Sequence, residues 1–129
     1  MSSEGYHESL DSLSEETHDL HRALISLQEE LEAIDWYRQR ADACSDEALR
    51  TILFHNMREE MEHASMLIEW LRRTNADFHR QLATYLFTEV PITEVEETAE
   101  KTSEPRATPS AADAIKAAPK RTVGSLKEN

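Results

Sequence analysis

Helix-breaking residues are scarce in this chain of 129 residues, which contains two glycines and four prolines. All four prolines lie after residue 90. Because proline interrupts helices and glycine weakens them, their near absence from the first ninety residues predicts an all-α fold. The length allows one small domain.

The chain also contains little cysteine and lacks long apolar runs. The single cysteine, Cys44, excludes a disulfide within the chain and fits a reducing cytosol. The sequence has no run that is long and apolar enough to span a membrane, and its N-terminus lacks an apolar signal core. We therefore expect a cytoplasmic protein without a membrane partner.

Basic residues are few in the body of the chain. The first 100 residues contain 8 Lys and Arg against 23 Asp and Glu, whereas residues 101–129 contain 6 against 3. Since an acidic surface repels phosphate, nucleic acid is not expected as a partner. The same negative charge attracts cations.

Apolar residues recur at helical spacing along the first part of the chain. After a loose leader at residues 1–8, a helix is expected to begin near Ser9 or Ser12 and to run to about Ala43. Its apolar positions alternate three and four residues apart, which is typical of a heptad seam that packs against another helix. The seam consists of Leu10, Leu13, Thr17, Leu20, Leu24, Leu27, Leu31 and Ile34.

Two more helices are predicted after a short break. Helix two is expected to follow Ser45 as its N-cap and to end at the arginine pair 72–73. The short connection makes it an antiparallel neighbour of helix one. A third, shorter helix should follow Asn75 and stop before Pro91.

The composition changes near residue 94, so residues 9–94 are expected to form the helical domain. Residues 95–121 are rich in Thr, Ser, Ala, Pro and charge, which is typical of a disordered linker. Residues 122–129 again contain two apolar side chains in a Gly-Ser context, which predicts a docking peptide on a tether.

Two long helices cannot cover their own apolar surface. A hairpin of this size leaves one face of each helix exposed, and the domain is too small to cover it. Two hairpins related by a two-fold axis would complete a four-helix bundle. We therefore expect a homodimer.

Three side chains that commonly bind metals interrupt the apolar stripes of both long helices. Glu30 lies between Leu27 and Ile34 on helix one, while Glu60 and His63 share one side of helix two. Buried charges are costly unless they are paired or bind a metal. Carboxylates and imidazoles suit Fe(II), Mn(II) and Zn(II). A two-fold axis would gather four carboxylates and two imidazoles, the ligand set of a ferritin-type di-iron site.

The same pattern has a simpler interpretation. E-x-x-H is frequent by chance in an acidic helix, and these acids could form a solvated face. Aromatic residues on a helix usually serve in packing, which is the simpler interpretation of Trp36 and Tyr37. Tyr37 lies two turns after Glu30, however, and could hydrogen-bond a ligand. Four further acids lie outside the apolar stripes, where a solvated face is the default. They are Glu29, Glu32, Glu59 and Glu62.

Three segments resemble the encapsulated ferritins, which are ferritin-like cargo proteins of encapsulin nanocompartments. The segments are HRALISLQEELEAIDWYRQR, HNMREEMEHASMLIEWLRR and TYLFTEVPIT, and the similarity covers roughly residues 10–95. The terminal TVGSLKEN also resembles the encapsulin-targeting peptides of such cargo, whose core is a Gly-Ser-Leu segment behind a linker.

The resemblance implies a ferritin-like four-helix bundle of two subunits and a ferroxidase that oxidises Fe(II) with dioxygen. Its di-iron centre would lie between the subunits, and Glu30, Glu60 and His63 of each subunit would bind the iron. Trp36 and Tyr37 would flank this centre, with Tyr37 taking part in the reaction.

The resemblance also implies how the protein is assembled and where it acts. Glu29 and Glu32 would form secondary metal sites on the route by which cations approach. Family members assemble as a ring-shaped decamer of five dimers, and the encapsulin shell stores the oxidised iron. We therefore expect a role in iron mineralisation and iron homeostasis inside an encapsulin nanocompartment of the cytoplasm. The shell protein would bind residues 122–129.

Two other functions stay open on the sequence alone. A non-catalytic helical cargo or adaptor protein would carry the same tail, and it predicts a metal-independent dimer. A different dimetal enzyme, which uses Mn or consumes peroxide, would have the same ligand set.

Overall fold

The computed structural model describes residues 5–102, and in this part of the chain the secondary structure is entirely helical. The all-α prediction is thereby confirmed. No helix within these residues is both long and apolar enough to cross a membrane. The α-helices are α1 (Glu15–Ala43), α2 (Glu47–Thr74), α3 (Ala76–Tyr85) and α4 (Val95–Thr102), and short 3-10 helices lie at Leu10–Ser12 and Ile92–Glu94.

Helix α1 begins later than the sequence suggested. Ser9 precedes the first 3-10 helix, which ends where Leu13 adopts an extended conformation, with φ −97° and ψ 140°. The Ser14 hydroxyl then accepts a hydrogen bond from the Thr17 amide at 3.1 Å. Because the extended residue separates the two helices, Ser14 is the N-cap of α1 in place of Ser9 or Ser12.

The N-cap of α2 also differs by one residue from the prediction. The Asp46 carboxylate accepts a hydrogen bond from the Leu49 amide at 2.8 Å, so Asp46 and not Ser45 caps the helix. Ser and Asp are both good N-caps, and the carboxylate adds a favourable interaction with the helix dipole. The predicted end of α1 at Ala43 is confirmed.

The described chain divides into two compact units, one up to Leu71 and one from Arg72. In the first unit, α1 and α2 form the predicted antiparallel hairpin. Glu30 contacts His63, and eight residues further along α1 the Arg38 guanidinium lies 5.7 Å from the ring of Phe54, nine residues earlier on α2. The residue numbers of contacting pairs rise along α1 as they fall along α2, which shows that the two helices run antiparallel.

The core of the hairpin consists mostly of small side chains. Alanine, which projects little from the backbone, supplies three of the five buried apolar residues of the first unit. The larger seam residues Leu10 and Leu31 remain 53% and 52% exposed. The seam that the sequence predicts is therefore not covered within one chain. The buried residues are Ala23, Ala41, Met57, Ala64 and Leu71.

The second unit contains α3 and α4. Asn75 caps α3 as predicted, since its side-chain oxygen accepts the Phe78 amide at 2.9 Å. The guanidinium of Arg72 donates to Nδ1 of His79 at 2.9 Å. Helix α4 packs against α3, and Val95 at its start is 3% exposed.

A disordered linker was predicted to begin at residue 95, but the structure has helix α4 at Val95–Thr102. Pro91, with φ −52°, leads into the second 3-10 helix, and the buried Val95 continues directly into α4. Glu96 and Glu97 occupy the first turn, where negative charge favours a helix. The average composition of residues 95–121 is that of a linker, and it does not reveal these local helix signals. The rest of the predicted linker and the predicted peptide at 122–129 lie outside the described residues.

Candidate metal site

The antiparallel hairpin brings together the three side chains that the sequence singled out. Glu30 projects from α1, and Glu60 and His63 project from α2 one turn apart. One ligand atom from each side chain lies within 4.8 Å of the other two. Among residues 5–102, these three side chains are the group of potential metal ligands whose donor atoms lie close enough together to bind one ion.

A single imidazole nitrogen faces both carboxyl groups. Nδ1 of His63 lies 3.2 Å from Oε2 of Glu60 and 3.5 Å from Oε2 of Glu30. The side chains of Glu30 and Glu60 are 24% and 22% exposed, whereas that of His63 is 44% exposed. The cluster is thus partly buried between the helices and open on the side of the histidine.

The proton equilibria of the three groups are linked. The hydrogen bond that the Glu30 carboxyl group donates to Glu60, together with partial burial, raises the pKa of Glu30. The same hydrogen bond lowers the pKa of Glu60, since its carboxylate accepts the shared proton. The hydrogen bond with Glu60 raises the pKa of His63. Of the two carboxyl groups, Glu30 therefore keeps its proton to higher pH, and the imidazole of His63 keeps its proton to higher pH than an ordinary histidine.

These donors fit a divalent metal ion. Two carboxylate oxygens and one imidazole nitrogen are ligands that Fe(II), Mn(II) and Zn(II) accept. Such an ion would take the place of the protons on Glu30 and His63, because metal ligands bind in their deprotonated form. Three protein ligands on one open side leave room for further ligands.

The remaining predicted site residues lie outside this cluster. Glu29 and Glu32 are exposed, and helical geometry turns them about 100° and 160° away from Glu30 around α1. The ring of Tyr37 is half-buried and lies 5.5 Å from the Arg40 guanidinium. Trp36 is 48% exposed, and its ring lies 5.9 Å from the same guanidinium.

Arg40 has a position that the sequence analysis missed. Its guanidinium lies within cation–π distance of the rings of both Trp36 and Tyr37. The signal was present in the sequence, because Arg40 follows them by four and three residues, the spacing at which helical side chains are neighbours.

Comparison with known families covers the three α-helices that precede Pro91. The family described as EncFtn-like matches residues 5–89 of the chain. The chain belongs to the EncFtn-like family. The match includes the whole of α1, α2 and α3 and the positions of Glu30, Glu60 and His63, and it confirms the resemblance to encapsulated ferritins.

Several relatives of this EncFtn-like chain are known. An "Encapsulated ferritin-like protein" from Rhodospirillum rubrum is 56% identical over 96 residues, which are 74% of this chain and 69% of the relative. A "Ferritin-like protein" from Thermotoga maritima is 54% identical over 92 residues, 71% of this chain and 81% of the relative. An "Encapsulin nanocompartment cargo protein EncC" from Myxococcus xanthus is 31% identical over 105 residues, 80% of each chain.

A solved structure also matches this EncFtn-like chain. The crystal structure of a protein from Nitrosomonas europaea is 57% identical in sequence and superimposes with a TM-score of 0.66. The match covers 68% of this chain and 97% of the other. The two proteins therefore share the helical fold.

Proposed function

We propose that this chain is a ferroxidase whose di-iron centre forms between two copies of the subunit. One observation carries the proposal, which is the convergence of Glu30 from α1 with Glu60 and His63 from α2. A Glu from one helix and Glu-x-x-His from another make up half of the ligand set of a ferritin-like di-iron site. Membership of the EncFtn-like family supports the same chemistry.

A second copy of the chain would supply the other half of the centre. The three side chains remain partly exposed in one chain, so a partner can reach them. A two-fold axis beside the site would gather four carboxylates and two imidazoles. In this arrangement Glu30 of each subunit would be shared by both ions, while Glu60 and His63 of each subunit would hold one ion.

Fe(II) is the substrate of this centre. Each of two Fe(II) ions gives up one electron, and dioxygen accepts both electrons together with two protons, which yields hydrogen peroxide. The carboxylates of the chain offset the higher charge of Fe(III). The acidic body draws Fe(II) toward the protein, since opposite charge raises the local concentration of a cation.

Four further residues of α1 would support the reaction. Glu29 and Glu32 are exposed acids on other sides of α1 than Glu30, and they would bind cations on their way to the centre. Trp36 and Tyr37, whose rings face the Arg40 guanidinium, would flank the centre, and Tyr37 would take part in the reaction.

The proposed setting is an encapsulin shell in the cytoplasm. Relatives from Rhodospirillum rubrum and Myxococcus xanthus are named as an encapsulated protein and as a nanocompartment cargo protein. By analogy, this chain would assemble as a decamer of five dimers and bind the shell protein through residues 122–129. The Fe(III) would pass into the shell lumen, which provides the volume for storage.

Aerobic oxidation of Fe(II), followed by absorbance, tests the ferroxidase. Glu60→Gln keeps the shape of the side chain and removes its charge, so it should abolish fast oxidation. Glu62→Gln is the matched control, because Glu62 is exposed on the same helix and lies outside the cluster. We expect this control to oxidise Fe(II) at the wild-type rate.

Equal rates in wild type and Glu60→Gln would contradict the proposal. The acids would then be a solvated face, and a non-catalytic adaptor would be the better assignment. Rapid turnover with Mn(II) or with peroxide in place of dioxygen would instead indicate a different dimetal enzyme.

A further inference from the structure

Three methionines lie on α2 close to the metal cluster, and they differ in exposure. Met57 is 9% exposed and belongs to the core of the hairpin. Met61 and Met66 are 43% and 57% exposed, although methionine is an apolar residue. The proposed function assigns no role to either exposed thioether.

Helix geometry relates Met66, more than Met61, to the cluster. Met66 follows His63 by three residues, and side chains at this spacing are neighbours on the helix surface. Long helical side chains also lean toward the N-terminus of their helix, which turns the Met66 thioether toward His63. Met61 follows Glu60 directly, so its side chain points about 100° away and leans toward the preceding turn.

We propose that Met66 is an oxidation site that removes peroxide formed at the metal centre. The inference rests on the proposed function, because the oxidant is the hydrogen peroxide that two-electron reduction of dioxygen yields. The Met66 sulfur attacks one peroxide oxygen, a sulfur–oxygen bond forms and the oxygen–oxygen bond breaks. The sulfur loses two electrons and becomes a sulfoxide, and the second oxygen leaves as water with both protons.

An exposed thioether beside His63 suits this task. Peroxide that meets Fe(II) damages nearby side chains, and His63 is the most exposed of the three ligands. Methionine sulfoxide is reduced back to methionine by sulfoxide reductases, so the side chain can react repeatedly. The exposed position also means that the polar sulfoxide does not disturb the core, as oxidation of Met57 would.

Peptide mass spectrometry after aerobic Fe(II) turnover tests the proposal. Wild type and Glu60→Gln are given the same iron in the presence of catalase, which destroys peroxide that has escaped into solution. We expect sulfoxide to accumulate several-fold more at Met66 in wild type than in Glu60→Gln. Met61 serves as the exposed control and Met57 as the buried control, and both should be oxidised less than Met66.

A variant provides the second measurement. Met66→Leu keeps the side chain apolar and similar in volume, so the initial rate of Fe(II) oxidation should match that of wild type. At two Fe(II) per subunit, which yields at most one peroxide for each Met66, more free peroxide should accumulate per iron oxidised when catalase is omitted. An unchanged peroxide yield would overturn the proposal.

The two proposals fail in distinguishable ways. If wild type oxidises Fe(II) no faster than Glu60→Gln, the ferroxidase itself is wrong. If wild type is faster but Met61 is oxidised as much as Met66, or Met66 is oxidised equally in both proteins, then the ferroxidase stands. The role of Met66 would then be refuted, because exposure alone would explain the oxidation.

Discussion

At the scale of single residues, the site depends on how Glu30, Glu60 and His63 share protons. A raised pKa means that His63 holds its proton to higher pH than an ordinary histidine. The pKa of Glu30 is likewise raised, so this carboxyl group keeps its proton to higher pH than an isolated one. A cation must displace these protons, so metal binding and proton release are coupled.

Anaerobic addition of Fe(II) should therefore release protons from the wild-type protein. The release should be largest below the raised pKa of His63, where the imidazole is protonated. The affinity for Fe(II) should fall as the pH is lowered through that pKa, because protons then compete with the metal for Nδ1. A pH indicator in weak buffer and a titration at several pH values would measure both quantities.

The matching variants separate the site from the acidic surface. Glu62→Gln should release as many protons as wild type, while Glu60→Gln should release fewer and bind Fe(II) more weakly. Indistinguishable proton release from wild type and Glu60→Gln would show that Fe(II) binds elsewhere on the chain.

At the scale of elements, capping hydrogen bonds determine where the helices begin. Ser45 and Asp46 are adjacent, and both are residue types that favour the N-cap position. The hydrogen bond between the Asp46 carboxylate and the Leu49 amide decides between them. Sequence preference gives nearly equal weight to the two, so the geometry of the turn makes the choice.

Replacement of each candidate cap tests this assignment. Asp46→Ala should lower the free energy of unfolding by about 1 kcal/mol, because it leaves amide groups at the start of α2 without a partner. Ser45→Ala should change the free energy of unfolding by less than about 0.5 kcal/mol, as exposed substitutions usually do. Urea denaturation of the metal-free protein at one concentration would measure both, and a larger effect of Ser45→Ala would contradict the structure.

At the scale of the whole molecule, one chain leaves much apolar surface uncovered. Fourteen large hydrophobic side chains of the described part are exposed, and several border the hairpin. Leu31 on α1 and Met61 on α2 are among them, so both long helices expose apolar surface. Exposed patches of this kind mark interaction surfaces. A second copy of the chain would cover part of this surface and complete the metal site.

Metal binding and dimerisation should therefore promote each other. If the metal binds the dimer, in which two half-sites meet, but not the separate chain, it stabilises the dimer by mass action. At roughly 100 times its dissociation constant, one such ligand stabilises the dimer by about 2.7 kcal/mol. Anaerobic sedimentation velocity with and without Fe(II) should show this shift in wild type and in Glu62→Gln.

The charge-neutral variant makes this test specific. Glu60→Gln should lose the response of sedimentation to Fe(II), because each dimer lacks two of its four carboxylates. A dimer of wild type whose stability does not depend on metal would argue for the adaptor function instead.

The tail can be tested apart from the reaction. Deletion of residues 122–129 should abolish co-purification with a co-expressed encapsulin shell protein, since the proposed docking peptide is lost. The truncated chain should still oxidise Fe(II) at the wild-type rate. Retention of the truncated chain in purified shells would refute the assignment of the peptide.

Most of the architecture followed from patterns within single helices. The shortage of proline and glycine, the three-and-four spacing of leucines and the short break after Ala43 sufficed to predict the antiparallel hairpin. The prediction was wrong at Ser45 and at residue 95. At Ser45, the two candidate N-caps differ by one hydrogen bond. At residue 95, a helix is favoured over a linker by the burial of Val95. Both features depend on neighbouring elements.

The sequence by itself determined the residue types of the site and their order. The Glu60–His63 spacing lies within one helix, so helical periodicity alone turns both to the same side. The tertiary structure decided that Glu30 meets them, because the distance between two helices depends on packing and not on spacing along the chain. It also decided the direction of the pKa shifts, since a pKa responds to groups that only the folded hairpin brings within hydrogen-bonding distance.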